Sequence, residues 1–302
     1  MTASPAKNIL ITGAHGMLGS ALQRHLSASG YKVFSLDRRS TNTPFHYVES
    51  THRVFLDPSV PLSAVINLAG PNIAEGRWTP QRKHLLLSSR VELTRSLATA
   101  MAALPVKPPL FLSASAIGYY GQTGSNSVNE FSPPGTDFLA AIATSWEAAT
   151  APAELAGINT IHMRLGVVLS KDGGMLKKLL LPFQLGLGGR IGSGEQFLSW
   201  ISIDDVLAII AHLLESNPVS GPLNLVTGQA VTNADFSAQL AQALNRPCLL
   251  PLPAVIVKII FGEMADAMLL GGSRVQSVKL DALGIRLKYP ALGEALQALL
   301  RA

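Results

Sequence analysis

Cysteine is almost missing from this sequence: Cys248 stands alone among 302 residues. No internal disulfide framework is possible, and the composition fits a reducing compartment, so a cytoplasmic setting is expected. Long apolar runs are missing as well. The longest, from Leu249 to Phe261, falls short of the ~20 residues a membrane span needs and is interrupted by Pro251, Pro253 and Lys258; no membrane partner is expected. No charged-then-apolar leader precedes the strand-like run from Lys7 to Ile11, so a signal peptide is not expected. The net charge is +5, yet the basic residues are scattered and never interleave with aromatics, which argues against a nucleic-acid partner. A modest positive excess is consistent instead with an anionic small ligand. The seven histidines show no metal-ligand spacing, and no Gly-x-Ser-x-Gly element occurs, so neither a metal centre nor an α/β-hydrolase is expected. Internal repeats and low-complexity tracts are also lacking.

What is present is apolar: 48% of the residues are hydrophobic, enough for one large core. Short, continuous aliphatic runs at 9–12, 31–36, 64–68, 110–113 and 160–164 read as strands buried on both faces. Helical periods at 17–26, 81–103 and 138–155 alternate with them. This alternation predicts an α/β protein built on a Rossmann-type doubly wound parallel sheet. Past Leu169 the texture changes to glycine-rich loops and a proline-punctuated tail, which predicts a smaller C-terminal substrate lobe. The expected division is an NAD(P)-binding Rossmann domain over 1–170 and a substrate lobe over 171–302. The lobe would include a small C-terminal domain at about 248–297, and late strands could return to the sheet from 195–230.

The first run enters Gly13-Ala14-His15-Gly16-Met17-Leu18-Gly19. Gly13 permits a tight turn out of a strand, Gly16 lets backbone approach a phosphate, and Gly19 lets the following helix pack closely. A pyrophosphate is favoured there because the first N–H groups of a helix are unsatisfied and its dipole is positive. Gly13, Gly16, Met17, Leu18 and Gly19 are therefore the expected pyrophosphate site, with His15 facing solvent or beside phosphate. Asp37-Arg38-Arg39 follows the second strand. Asp37 suits the 2′-hydroxyl of NAD, whereas Arg38 or Arg39 suits the 2′-phosphate of NADP; NADP is expected, with NAD the alternative. Leu68, Ala69 and Gly70 end another strand with small residues that leave room for the cofactor.

These motifs, with Arg77-Trp78-Thr79, Ser89-Arg90-Val91, the run from Ser113 to Gly121, Arg164-Leu165-Gly166 and Phe197 to Val206, resemble the extended short-chain dehydrogenase/reductase superfamily. That superfamily includes nucleotide-sugar epimerases and dehydratases. More closely, the chain is similar to its NAD(P)-dependent epimerase family branch with a small C-terminal domain, matched here by Pro251 to Val275. The resemblance spans essentially the whole chain and implies an oxidoreductase or epimerase acting on a small-molecule substrate, with oligomeric state left open. It also implies a catalytic Ser, a Tyr, and a Lys four residues beyond the Tyr, which lowers the phenol's pKa. Ser115 matches the serine. Ala140 and Thr144 occupy the positions that counting back from Trp146-Glu147 assigns to the Tyr and Lys. Tyr119, Tyr120 or Glu130 could substitute for the missing pair; otherwise the protein is a silent dinucleotide-binding sensor. Arg90 is expected to reach the cofactor or pair with a carboxylate. Trp78 and Trp200 are read as core or pocket wall, and Arg164 as a partner of Asp204 or Asp205 in an ion pair or an aid to ordering the substrate loop.

Overall fold

The computed structural model describes residues 7–38, 42–216 and 219–301. Six strands form the central sheet: β1 (Asn8–Thr12), β2 (Lys32–Ser35), β3 (Ala64–Asn67), β4 (Leu110–Ala116), β5 (Asn159–Leu165) and β6 (Gly221–Leu225). All pairings are parallel, in the order β6-β5-β4-β3-β1-β2. The order turns back between β1 and β3, the place where doubly wound sheets bind ligands outside their carboxyl ends. The predicted fold class is therefore the observed one.

Ten α-helices occur among the described residues: α1 (Met17–Ala28), α2 (Pro80–Ala102), α3 (Phe138–Ala148), α4 (Ala151–Leu155), α5 (Gly174–Gln184), α6 (Ile203–Ser216), α7 (Asn233–Ala243), α8 (Ala254–Phe261), α9 (Val278–Ala282) and α10 (Leu292–Arg301). Strand alternation divides the core in two. Ile9 and Ile11 of β1 pack with Leu22, Ile209, Leu240 and Leu296 of α1, α6, α7 and α10. Leu10 points the other way, with Val65, Phe111 and Leu93 and Leu97 of α2. The helix expected over 138–155 is two, since α3 ends at Ala148 and Pro152 sits in the first turn of α4, where a proline lacks no needed N–H. α2 opens on Thr79, whose hydroxyl accepts from Arg82 N, followed by Pro80.

β6 comes from the second half of the chain, and its Pro222 is tolerated because the strand lies at the sheet edge. At the opposite edge, a hairpin of Phe45–Val48 and Arg53–Leu56 meets the chain just past β2 through a bridge between Asp37 and His46. Asp204 and Asp205 do not pair with Arg164. Asp205 is buried at the start of α6, bonded to Ser202 Oγ (2.6 Å) and accepting from the backbone N–H groups of Lys288 and Tyr289, while Asp204 meets Lys288 Nζ at 3.4 Å.

Candidate functional site

The glycine turn joins β1 to α1 as the sequence requires. Gly13 has φ +70°, and a Cβ there would stand 2.8 Å from the Leu68 carbonyl carbon. A Cβ on Gly19 would collide with the Gly13 carbonyl oxygen and lie 2.9 Å from Ala14 Cα. Gly16 caps α1 with no side-chain hydrogen bond, so the N–H groups of Met17, Leu18 and Gly19 have no intrahelical partner. Gly13, His15 and Gly16 are exposed. The turn thus presents bare backbone donors at a helix start, and its glycines fit a closely approaching pyrophosphate. Gly173 lies against it: a Cβ there would be 2.8 Å from Met17 Sδ, placing the loop before α5 beside the cradle.

Behind the cradle a buried polar network fixes the strand ends. Thr12 Oγ1 donates to Asn67 Oδ1 (2.6 Å) and accepts from Ala69 N. Asn67 Nδ2 donates to Thr94 Oγ1 (2.8 Å), which also accepts from Trp146 Nε1 (3.0 Å). Leu68, Ala69 and Gly70 are thereby held at the switch point. Arg90 is buried and donates to the Leu86 and Pro71 carbonyls (2.9 and 2.8 Å), with its guanidinium over the Trp146 ring. No carboxylate pairs with it among the described residues, and burial pushes its pKa down to about 10. A Cβ on Gly70 would touch this guanidinium at 3.0 Å, so Arg90 braces the loop that ends β3.

At the far end of the second strand, Asp37 is tied into the hairpin by Asp37 N to Phe45 O and Tyr47 N to Asp37 O. Arg38 is exposed, with its guanidinium 5.5 Å from the Tyr47 ring centre. Arg39 lies outside the described residues.

Sheet register brings Ser115, Arg164 and Asn224 into one row across β4, β5 and β6. Glu147 of α3 sits over that row. It accepts from Ser115 Oγ (2.7 Å) and takes a two-pronged ion pair from Arg164 (2.8 Å each). Burial works against the Arg164 charge, but the Glu147 bonds and charge hold its pKa above the usual arginine value. Arg164 Nη1 also donates to Tyr120 Oη (3.0 Å), which donates to Asn224 Oδ1 (2.8 Å). Tyr120 is buried, and burial raises its phenol pKa despite Arg164. Tyr119 is half-buried with Arg164 stacked 3.4 Å from its ring centre, and its hydroxyl has no hydrogen-bond partner among the described residues. Ala140 is buried, Thr144 is exposed with its hydroxyl on the Ala140 carbonyl, and α3 contains neither Tyr nor Lys. Glu147, the centre of this cluster, enters the sequence-based expectations only as a landmark beside Trp146. Its one signal is a carboxylate on the face of α3 turned toward the strands.

Segments from remote parts of the chain form a collar at this carboxyl edge. A methyl on Gly118 would stand 3.1 Å from Leu139 Cβ, and Phe138 meets Trp78 edge-on at 5.2 Å. Lys178 of α5 reaches the Ala74 carbonyl (3.1 Å). The C-terminal segment closes the ring. Gln122 donates to the Asp266 carbonyl (2.8 Å) and Gln196 to the Leu269 carbonyl (2.7 Å), while Ser273 Oγ bonds the Gly121 carbonyl. Glu130 is no free acid or base: it is 4% exposed and accepts from Asn224 N, Ser277 Oγ and Val278 N at the start of α9. Trp200 is core, fully buried with its indole N–H on the Gln229 carbonyl, and Trp78 is buried with its indole N–H on the Ile73 carbonyl. A hollow of about 670 Å³ between the hairpin and α2, lined by His52, Arg53, Glu92 and Arg95 among others, involves none of these groups. Among the described residues no helix is long and apolar enough to cross a membrane.

The chain matches the NAD dependent epimerase/dehydratase family over residues 9–225 and a domain of unknown function, DUF1731, over residues 252–299. It is 39% identical over 290 residues to the Epimerase family protein Mb2239 of Mycobacterium bovis, covering 95% of this chain and 96% of that one. It is 38% identical over 294 residues to the human Epimerase family protein SDR39U1, covering 96% and 98%. A crystal structure of human SDR39U1 isoform 2 with NADPH superposes with a TM-score of 0.88 at 35% identity, covering 97% of this chain and 99% of that one. UDP-glucose 4-epimerase of Thermus thermophilus in complex with NAD shares the fold, with a TM-score of 0.74 at 19% identity over 97% of this chain and 98% of that one.

Proposed function

This chain belongs to the NAD dependent epimerase/dehydratase family, and on that premise we propose that it is an NADP(H)-dependent oxidoreductase or epimerase-like enzyme acting on a small molecule. The observation that carries the reading is the glycine cradle: exposed backbone donors at an uncapped helix start, with no room for side chains at Gly13 or Gly19. NADPH in the crystal structure of the human relative supports the choice of cofactor. When bound, the dinucleotide would supply or accept a hydride. The N–H groups of Met17, Leu18 and Gly19 hold its pyrophosphate, Leu68 to Gly70 leave space for it, and Arg38 reads the 2′-phosphate. A guanidinium suits that role because it matches phosphate with two parallel hydrogen bonds.

Tyr119 is assigned to proton transfer at the substrate oxygen, since its hydroxyl is unengaged while those of Ser115 and Tyr120 are bonded within the protein. Arg164 orients Tyr119 by stacking on its ring. Ser115 keeps the Glu147 and Arg164 pair in register beneath it. Cytoplasmic residence belongs to the same reading, supported by the single free cysteine.

Calorimetric titration with NADPH and NADH tests the cofactor assignment: NADPH should bind more tightly, and Arg38→Ala should remove that preference. If neither dinucleotide binds, the proposal fails. Replacing Tyr119 by Phe should abolish turnover while leaving NADPH affinity unchanged, and retained turnover would remove Tyr119 from the mechanism. A second reading, a silent redox-cofactor sensor, is favoured by the lack of Tyr and Lys on α3; it predicts NADPH binding with no turnover of any ketone or nucleotide sugar.

A further inference from the structure

We infer that the substrate is an uncharged, mainly apolar aldehyde or ketone, or the matching alcohol, rather than a nucleotide sugar. This rests on the hydride-transfer reading above. Recognition of a diphosphate needs cations or a cluster of free donors aimed at it. Five cations around the collar are already engaged, while Arg274 stays exposed over the Phe197 ring. Arg77 donates to the Ile259 and Ile260 carbonyls, Arg82 to the Asn72 carbonyl at 2.7 Å, and Lys178 to the Ala74 carbonyl at 3.1 Å. Lys83 is paired with Glu263 at 2.5 Å and Lys258 with Asp266 at 2.9 Å. The Arg77, Lys83 and Lys178 contacts join remote segments of the collar, so a diphosphate could recruit one of these cations only by opening it.

An apolar cluster meets Gly118, next to Tyr119, whose ring carries the Arg164 guanidinium on its face. Trp78, Phe138, Leu139, Phe261, Met264 and Met268 form one cluster, and Leu139 lies directly against Gly118. The nearby amides offer little to a sugar, because Gln122 and Gln196 donate to backbone carbonyls. Flexible Met264 and Met268 can adapt to apolar groups of differing shape. An unmatched hydroxyl or phosphate placed here would be desolvated without a partner, which is heavily penalised. In the reductive direction, the carbonyl carbon accepts the hydride from NADPH, which becomes NADP⁺, and the carbonyl oxygen accepts the Tyr119 Oη proton, which solvent restores. Oxidation of the alcohol reverses both transfers.

The test uses the full chain loaded with NADPH. In a series of straight-chain aldehydes from butanal to octanal, kcat/KM should rise about fourfold per added methylene until the wall is filled. Octanamide, which cannot be reduced, should bind the NADPH complex and change its tryptophan fluorescence, whereas UDP-glucose should show no saturable binding in equilibrium dialysis. Met268→Ala should flatten the chain-length dependence, and Met268→Leu should retain it. A flat aldehyde series with no octanamide binding would overturn the inference. So would saturable UDP-glucose binding, above all if lost in Arg274→Ala, because Arg274 is exposed over the Phe197 ring on this side. Titration with NADPH alone separates the two levels: if NADPH binds and the series is flat, only the substrate class fails, and if NADPH does not bind, the underlying function fails with it.

Discussion

Replacing Gly16 by alanine separates binding from folding more cleanly than any other change at the cradle. The Gly16 backbone is extended, with φ −72° and ψ 169°, which alanine adopts freely. A Cβ there would meet only the Gly13 carbonyl oxygen, at 3.3 Å, a contact relieved by a shift of a few tenths of an ångström. Losing glycine's freedom in the unfolded chain adds about 0.4–1 kcal/mol of stability, and the poorer cap removes a similar amount, so the net change should lie within about 1 kcal/mol. That corresponds to a shift in Tm of about 3 °C or less. Ligand binding should respond quite differently, because the new methyl occupies the space through which a pyrophosphate reaches the N–H groups of α1. Losing one hydrogen bond to a charged group is worth about 2 kcal/mol, or about a 30-fold loss of NADPH affinity. Gly19→Ala is the contrasting control: its Cβ collides with backbone at Gly13 and Ala14, so it should lose both stability and binding. Thermal unfolding and NADPH calorimetry on both variants give the readout. A Gly16→Ala protein of unchanged Tm that binds NADPH as tightly as the parent would refute the placement of the pyrophosphate.

Two further predictions concern the row of buried charges. Glu147→Gln should destabilise the fold by about 3–5 kcal/mol because Arg164 is left buried without its counter-charge, lowering Tm by about 10 °C, while Glu147→Leu combined with Arg164→Met should recover much of that loss. Equal destabilisation by the single and double changes would show that the pair is not what holds this region. His162 lies between Glu147 (3.8 Å) and Glu154 (3.1 Å), with Arg164 on the same strand; burial pushes its pKa below 6.5, outweighing the opposite pull of the two carboxylates. The unfolded chain therefore takes up this proton first, so stability is full above pH 6.5 and falls as pH drops below it, levelling off beneath the folded-state value. In unfolding scans across that range, His162→Gln should have a shallower slope than the parent, and parallel slopes would rule the imidazole out.

The parts of this molecule legible in its sequence are those fixed by local chemistry. Unbroken aliphatic runs such as Ile9 to Ile11 and Ala64 to Ile66 can only be strands covered on both faces, and a strand ending in three spaced glycines before a helix has few other uses. A strand returning from 195–230 is expected, but its bounds are not legible, because Gly-Pro-Leu-Asn-Leu carries no strand pattern of its own; its place depends on the register of β5. Arg164 was recognisable as a group needing an anion, yet Asp204-Asp205 and Glu147 were equally available along the chain. Only the turn of α3 over the sheet decides for Glu147, while Asp205 is taken by the backbone at Lys288 and Tyr289. Arg90, an invitation to invoke a ligand, braces a loop through two carbonyls, a use that depends on where Pro71 lies in space.

The fastening of the C-terminal segment to both rims of the collar has a consequence for biosynthesis. Residues 9–67 supply the cradle and its neighbouring strands and leave the ribosome early, but the partners of Gly121, Gln122, Glu130 and Gln196 lie between Asp266 and Val278. The rims are therefore made well before the segment that ties them together. The collar at the carboxyl edge is thus assembled only after residues 266–278 have been made, and the long-range contacts that define it form late in synthesis.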